Sequence, residues 1–251
     1  MTVFVFTGPS LSAQLAREHL DAIYLPPVSQ GDIIRVLARK PSAIGIIDGF
    51  FHNVPAVWHK EVLAALAQGI PVWGAASMGA LRAAELAAFG MVGVGAVFEA
   101  YRDGIIEDDD EVAVTHGPAE LGYLALSEAM VNVRCTLGDA LSNGVIDERT
   151  CTLIERTAKE MPYAERTYDR ILKAAGLAGL SARDVDVLRA WLPAGRRDLK
   201  REDAVRMLRA MRERLGAGPA RVSAKFHFEQ TTLWMSAVKG TLDGKRNASR
   251  A

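Results

Sequence analysis

One stretch of the sequence decides the fold, namely Ala75-Ala76-Ser77-Met78-Gly79-Ala80-Leu81. It follows a short apolar run, residues 70–73, that predicts a buried β-strand, and it leads into a strong helix-forming segment, residues 81–86. A serine between small residues at a strand-to-helix turn exposes its hydroxyl beside the free N–H groups of the helix start. The pattern Ala-x-Ser-x-Gly indicates an activated serine or an anion site, and a tight turn with a capping serine is the structural alternative.

Upstream of this turn, short apolar runs alternate with helix-forming segments. The runs are residues 3–6, 22–25 and 43–49, and the helical segments are residues 11–20, 30–39 and 54–68. Such alternation predicts a parallel sheet with right-handed crossovers. A further strand is predicted over residues 111–118. We therefore expect an α/β fold, with a short, mostly parallel sheet flanked by helices in residues 1–145 and a helical C-terminal region in residues 146–251.

The charges of the chain are divided between its two parts. The 251 residues carry no net charge, but residues 1–145 have a net charge of −8 and residues 146–251 one of +8. The basic region is expected to pack on the acidic core and to dock partners, because exposed charges steer association. Neutralising Arg196, Arg197, Lys200 and Arg201 is expected to weaken partner binding. Nucleic acid is not an expected partner, since no basic-aromatic binding motif is present.

Motifs for zinc binding, secretion and membrane insertion are not recognised in the sequence, which limits the expected class of protein. Cys135 and Cys151 fit no zinc or C-x-x-C pattern, so we expect free thiols in a reducing compartment. The chain enters a strand without a basic leader, which predicts a cytoplasmic protein without a signal peptide. The uncharged residues 62–81 contain glycine and proline, so no membrane span is expected. The acidic run at residues 107–111 has the wrong spacing for an EF-hand, and we expect no metal and no cofactor.

Four loops are expected to meet at one edge of the sheet. Ligands of parallel sheets gather beyond the carboxyl ends of the strands. That edge is predicted to hold the loops at residues 7–10, 48–52, 77–79 and 116–118. Each of these loops supplies polar residues or glycines, and this convergence favours a functional serine over a capping serine.

Three side chains are candidates for the base that activates Ser77. His116 and His52 are the conventional choices, because a neutral imidazole is a ready base near pH 7. Lys60 is the third, since the nearby Trp58 and an apolar run offer desolvation that favours a neutral amine. Glu61 would oppose this by holding Lys60 charged. The residues alone leave all three bases open.

Several segments together resemble the TfuA-like core domain family. The resemblance covers roughly residues 1–140 and lies in Phe6-Thr7-Gly8-Pro9-Ser10, Ile47-Asp48-Gly49, His59-Lys60-Glu61, residues 74–86 and residues 90–95. It implies an accessory role in peptide thioamidation beside a partner YcaO-type enzyme. The family member is implied to release sulfide from a ThiS-like sulfur-carrier protein that ends in a thiocarboxylate, for transfer to a peptide substrate.

The resemblance also implies a catalytic pair, with Ser77 and Lys60 at the positions of a Ser-Lys hydrolase. We therefore expect Ser77 Oγ and Lys60 Nζ to lie within hydrogen-bond reach or one water apart, and Lys60→Arg to abolish hydrolysis.

The surrounding residues are expected to bind substrate or the oxyanion. Backbone N–H groups near Met78 and Gly79 are placed to steady an oxyanion. The loop residues Thr7, Gly8, Asp48 and His116 are the other candidate binding residues. Arg82 either holds a carboxylate or pairs with Glu85.

Two alternative functions stay open. One is a non-catalytic adaptor that docks peptide or carrier to the YcaO-type enzyme. The other is a small-molecule serine esterase that uses Ser77 with His116.

Overall fold

The computed structural model describes residues 2–51, 54–218 and 226–248. Five parallel strands form one sheet in the order β2-β1-β3-β4-β5. The strands are β1 (Val3–Phe6), β2 (Ile23–Leu25), β3 (Ala43–Ile46), β4 (Val72–Gly74) and β5 (Val92–Gly93). The predicted α/β class with a parallel sheet is therefore confirmed.

Eleven α-helices lie in the described residues. They are α1 (Ala13–Ala16), α2 (Asp32–Leu37), α3 (His59–Ala67), α4 (Met78–Leu86), α5 (Ala96–Arg102), α6 (Met130–Ser142), α7 (Glu148–Glu160), α8 (Tyr168–Leu177), α9 (Ala182–Gly195), α10 (Leu199–Gly216) and α11 (Thr232–Ala248). None of the helices in the described ranges is long and apolar enough to cross a membrane.

Alternating side chains of the strands bury two faces of the sheet. Phe4 and Phe6 of β1 point into one core, which α2, α3 and α4 cover. Val3 and Val5 point into the opposite core, which α1 and α10 cover. The period-2 alternation of a strand produces this division, and it gives the protein three layers.

Helix α10 packs against the sheet, although it comes late in the chain. Its residues Ala204, Met207, Leu208 and Met211 are fully buried in the second core. A Cβ on Gly45 of β3 would lie 3.1 Å from Met211 Sδ, so the missing side chain lets α10 approach closely. The division at residue 145 remains a prediction, but the basic region supplies one layer of the core. Helices α6 to α9 build a separate apolar cluster.

The fifth strand lies elsewhere than predicted. Residues 92–93 pair with β4, whereas residues 111–118 form no strand of the sheet. A short 3₁₀ turn covers Asp109–Glu111, and His116 makes one isolated antiparallel bridge with Ala125. The prediction of a strand over residues 111–118 is therefore wrong. The alternating apolar residues there face a cavity and a core rather than two covered faces of a sheet.

Candidate active site

The carboxyl ends of β1, β3 and β4 open onto one cavity of about 220 Å³. The strand order reverses between β1 and β3, and doubly wound folds bind ligands at such a reversal. Each of the four loops assigned to this edge from the sequence contributes to the wall. The lining residues are Pro9, Asp48, Gly49, Phe50, Phe51, Val54, Ser77, Ala113, Val114, Thr115, His116 and Tyr163.

Ser77 faces this cavity from a strained turn. The Ser77 N–H donates to the Ala75 carbonyl oxygen at 2.8 Å, which closes a three-residue turn around Ala76. Ala76 has a φ of 68°, a conformation that residues other than glycine adopt at a cost of about 1–3 kcal/mol. The Ser77 side chain makes no capping hydrogen bond with α4, although the residue is only 3% exposed. The hydroxyl is therefore left to the cavity, and the capping-serine alternative does not describe it.

Two backbone N–H groups beside Ser77 have no hydrogen-bond partner among the described residues. One belongs to Met78, the first residue of α4, and the other to Gly49, which lines the cavity. The two residues are in contact, because a Cβ on Gly49 would lie 2.7 Å from Met78 Cγ. Unpaired N–H groups beside a nucleophile are suited to bind a developing oxyanion.

Gly79, by contrast, allows close packing between α4 and β3. Its N–H donates to the Ile47 carbonyl oxygen at 3.2 Å, so this group is not free for substrate. A Cβ on Gly79 would lie 1.8 Å from the Ile46 carbonyl oxygen. Gly79 therefore lets α4 pack directly on β3, and its proposed share in an oxyanion site falls to Gly49.

Asp48 sits on the cavity wall with its carboxylate held by the β1 loop. Ser10 donates to it twice, through its hydroxyl at 2.6 Å and its N–H at 3.1 Å, and the Gly8 N–H also donates. Thr7 is buried and does not line the cavity, and its hydroxyl donates to the Leu11 carbonyl oxygen. Burial raises the pKa of Asp48, while the charge of Lys200 and the bonds from Ser10 act to lower it.

Lys200 is buried, although the sequence predicts an exposed charge at this position. It is 3% exposed, so the prediction that it is an exposed docking charge is wrong. Its ammonium donates to the Val112 carbonyl oxygen at 2.6 Å, and burial lowers its pKa while the charge of Asp48 raises it. The signal was present in the sequence, because residue 200 lies on the apolar stripe 204, 207, 208 and 211 of α10 at helical spacing.

His116 lines the cavity in a defined orientation. Its Nδ1 lies 2.8 Å from the Gly117 carbonyl oxygen, and its ring packs against Phe50 and Tyr123. A carbonyl oxygen only accepts, so Nδ1 carries the proton in the neutral ring. Nε2 then keeps its lone pair, and it has no hydrogen-bond partner among the described residues. This is the tautomer that a general base requires. The other histidine candidate, His52, lies outside the described residues.

Lys60 does not line the cavity. Its ammonium donates to Thr231 Oγ1 at 3.1 Å and lies 5.5 Å from the centre of the Phe228 ring. No hydrogen bond joins Lys60 to Ser77 in the described part of the chain. Glu61 is also turned away from Lys60, because its Oε1 accepts from the N–H groups of Gly31 and Trp58.

Arg82 pairs with Glu85 at 2.7 Å and donates to the Val57 carbonyl oxygen. Its guanidinium braces α4 against the start of α3, where His59 also contacts Glu85. Of the two roles that the sequence left open, the structure contains the pairing with Glu85.

A second charged cluster lies away from the cavity lining. Carboxylate oxygens of Asp108, Asp110 and Glu111 lie within 4.8 Å of one another. Lys159 makes ion pairs with all three, and Arg166 pairs with Asp110. Arg134 of α6 also pairs with Glu111 at 3.0 Å, so three cations compensate this charge. The cluster ties α6 and α7 to the turn before residue 112.

The fold and the site define a class, namely doubly wound α/β proteins with a serine turn after β4, beside the cavity. Residues 48–167 match the family model described as TfuA-like protein. This match confirms the resemblance, and the chain carries a TfuA-like region. The matched region, residues 48–167, begins later and ends later than residues 1–140, which carry the resemblance. A comparison with curated proteins found no match.

Proposed function

We propose that this protein hydrolyses the thiocarboxylate of a ThiS-like sulfur-carrier protein at Ser77 and supplies sulfide to a YcaO-type enzyme for peptide thioamidation. The observation that carries the proposal is the free Ser77 hydroxyl, which faces a cavity instead of capping α4. The match to the TfuA-like family model supports this choice of substrate and partner, and the free hydroxyl in the cavity supports the chemistry.

The reaction proceeds in two balanced steps. Ser77 Oγ attacks the thiocarboxylate carbon while its proton passes to a base, and the N–H groups of Met78 and Gly49 stabilise the oxyanion. The carbon–sulfur bond then breaks, and sulfide leaves with the proton as HS⁻. Water next attacks the serine ester; one of its protons restores the Ser77 hydroxyl, the other leaves to solvent, and the carrier carboxylate is released.

We assign the base to His116, because it lines the cavity and its Nδ1 contact leaves Nε2 free. Lys60, the base that the resemblance implies, is the competing assignment. A general base contributes about 10²–10⁴-fold to the rate, so His116→Gln is expected to lower kcat by about 100-fold or more. Lys60→Arg is expected to stay near the wild-type rate, and the reverse result would return the role to Lys60.

The decisive experiment measures sulfide released from a ThiS-like carrier with a C-terminal thiocarboxylate. Ser77→Ala is expected to abolish release, whereas Ser142→Ala removes an exposed serine hydroxyl at the end of α6 and should leave it unchanged. Mass spectrometry after rapid quenching should detect carrier joined to Ser77 in the wild type.

Other results would select the remaining functions. If the wild type releases no sulfide but still stimulates thioamidation, and Ser77→Ala stimulates it equally, the protein is an adaptor. If Ser77→Ala releases sulfide normally, Ser77 is not the nucleophile. If only small esters are cleaved, it is a small-molecule esterase.

A further inference from the structure

A short hairpin beside the cavity has a fixed backbone. We call residues 115–126 the leucine hairpin. Its two arms are joined by hydrogen bonds of 2.8 Å from the Gly117 N–H to the Leu124 carbonyl oxygen and from the Leu126 N–H to the Thr115 carbonyl oxygen. The Thr115 N–H donates to Ser127 Oγ, also at 2.8 Å. These bonds hold the hairpin in one shape, so a partner would pay little entropy to order it.

The tip of the leucine hairpin is anchored as well. Gly122 and Tyr123 have φ values of 63° and 59°, which turn the chain back sharply. The Tyr123 ring meets the His116 ring edge-on with centroids 5.6 Å apart. The tip is therefore tied to a side chain of the cavity wall.

This hairpin exposes apolar surface that nothing in the described structure covers. Leu121, Leu124 and Leu126 are 65%, 63% and 57% exposed. Single exposed leucines are ordinary in proteins, but three within six residues on one ordered hairpin form a patch, and patches mark interaction sites. The only charged side chain of the hairpin is Glu120, so the patch offers no cation to a phosphate backbone.

The position and size of the cavity indicate what covers the patch. Thr115 and His116 belong to the hairpin and also line the cavity. With about 220 Å³, the cavity is smaller than the roughly 300–1,000 Å³ of small-molecule sites. It has room for the end of a chain, and the body of a protein substrate would then rest on the rim beside it.

We propose that the leucine hairpin is the docking surface for the folded body of the sulfur-carrier protein whose C-terminal end reaches Ser77. This inference rests on the proposed function for the identity of the partner. It requires an apolar patch on the carrier near the base of its C-terminal tail. The leucines then set the affinity for carrier, while Ser77 and His116 set the rate of the chemical step.

The test separates docking from chemistry with the double variant Leu124→Ser/Leu126→Ser. Both side chains are exposed, so folding should persist. With carrier thiocarboxylate, KM is expected to rise about tenfold or more while kcat stays within twofold. Hydrolysis of thioacetate, which has no protein body, should not change. Leu177→Ser removes a leucine that is 85% exposed on α8 and should behave as the wild type.

A binding measurement keeps this inference independent of activity. In the Ser77→Ala background, the Kd for carrier should rise about tenfold with the two hairpin substitutions and stay unchanged with Leu177→Ser. An unchanged Kd, or no binding of carrier by Ser77→Ala itself, overturns the docking proposal even if sulfide is released. A tenfold change without any hydrolysis by the wild type leaves docking intact and rejects the hydrolase. If the substitutions instead convert a dimer to a monomer at unchanged Kd, the patch binds a second copy and the proposal is wrong.

Discussion

The Lys200 ammonium donates a hydrogen bond of 2.6 Å to the Val112 carbonyl oxygen, immediately before the segment that carries His116. The same ammonium interacts electrostatically with the buried carboxylate of Asp48. A helix from the C-terminal part of the chain thus supplies the buried cation behind the cavity. Helix α10 therefore helps to hold the segment before His116 in place.

Removing this cation should destabilise the protein strongly. Lys200→Met is expected to cost about 1–3 kcal/mol of unfolding free energy, because it leaves the buried Val112 carbonyl oxygen without its donor. Lys173→Met, an exposed lysine on α8, should change it by about 0.5 kcal/mol or less. Urea unfolding followed by circular dichroism measures both.

A double variant identifies the coupling of Lys200 with Asp48. Lys200→Met/Asp48→Asn should lose clearly less stability than the sum of the two single variants, because neither buried charge then lacks a partner. Strict additivity would show that Lys200 acts only through the Val112 carbonyl.

The glycine after Ser77 offers a second stability prediction. Gly79→Ala is expected to destabilise the fold by more than about 3 kcal/mol, because the added Cβ would lie 1.8 Å from the Ile46 carbonyl oxygen. Gly138→Ala lies in α6 with open space around it and should stabilise by about 0.5–1 kcal/mol. Thermal unfolding of both variants decides the matter, and a stable but inactive Gly79→Ala would return this glycine to the oxyanion site.

The sheet could be predicted from the sequence because its signals are local. The apolar runs at residues 3–6 and 72–74 have the composition and length of buried strands, and the turn at Ser77 has a characteristic pattern. The loops that meet at the carboxyl edge follow from parallel topology alone. For the same reason Asp48, Ser77 and His116 could be assigned to one site.

The rest depends on contacts between distant parts of the chain. The two-residue strand β5 is too short to leave a periodic signal. The position of Lys200 behind the cavity requires α10 to pack on β3, a contact across more than 150 residues that no local pattern encodes. The direction of the Lys60 side chain is likewise set by Thr231 and Phe228 near α11.

Glu61 provides a test of the electrostatics inside the protein. Burial raises its pKa above the ordinary value of 4.5, while N–H groups from Gly31 and Trp58 lower it, so the folded state binds this proton more tightly than the unfolded state. The stability from this group is therefore complete below pH 4.5 and is lost as the pH rises through the folded pKa. The amide side chain of the Glu61→Gln variant does not titrate, so the variant lacks this pH-dependent contribution to stability.

The expected result is a pH-dependent difference between wild type and Glu61→Gln. The variant should gain stability relative to the wild type as the pH is raised from 5 to 8, measured by urea unfolding at several pH values. Glu213→Gln on the exposed side of α10 controls for the loss of one carboxylate. A constant difference across this range would show that Glu61 has an ordinary pKa.

The basic C-terminal region retains one exposed charged face. Arg197 pairs with Asp139 and Glu202, and Arg196 pairs with Glu128, so these charges partly serve internal packing. The exposed side of α10 instead carries arginines that make no ion pair among the described residues, and Arg206, Arg209 and Arg212 are among them. We therefore propose this face for the docking role predicted for residues 146–251.

Neutralising this face should slow association with an acidic partner surface. Replacing Arg206, Arg209 and Arg212 by glutamine is expected to lower the association rate with the YcaO-type enzyme or the carrier by about tenfold at low salt. The difference should shrink as salt is raised, because exposed charges are screened.

The control variant replaces three arginines that are exposed on other helices, namely Arg149, Arg156 and Arg183. Their replacement by glutamine makes the same change in net charge. Stopped-flow or surface binding at low and high salt, with thioacetate hydrolysis as the activity control, distinguishes the outcomes. Equal slowing by both triple variants would mean that overall charge, and not the face of α10, steers the partner.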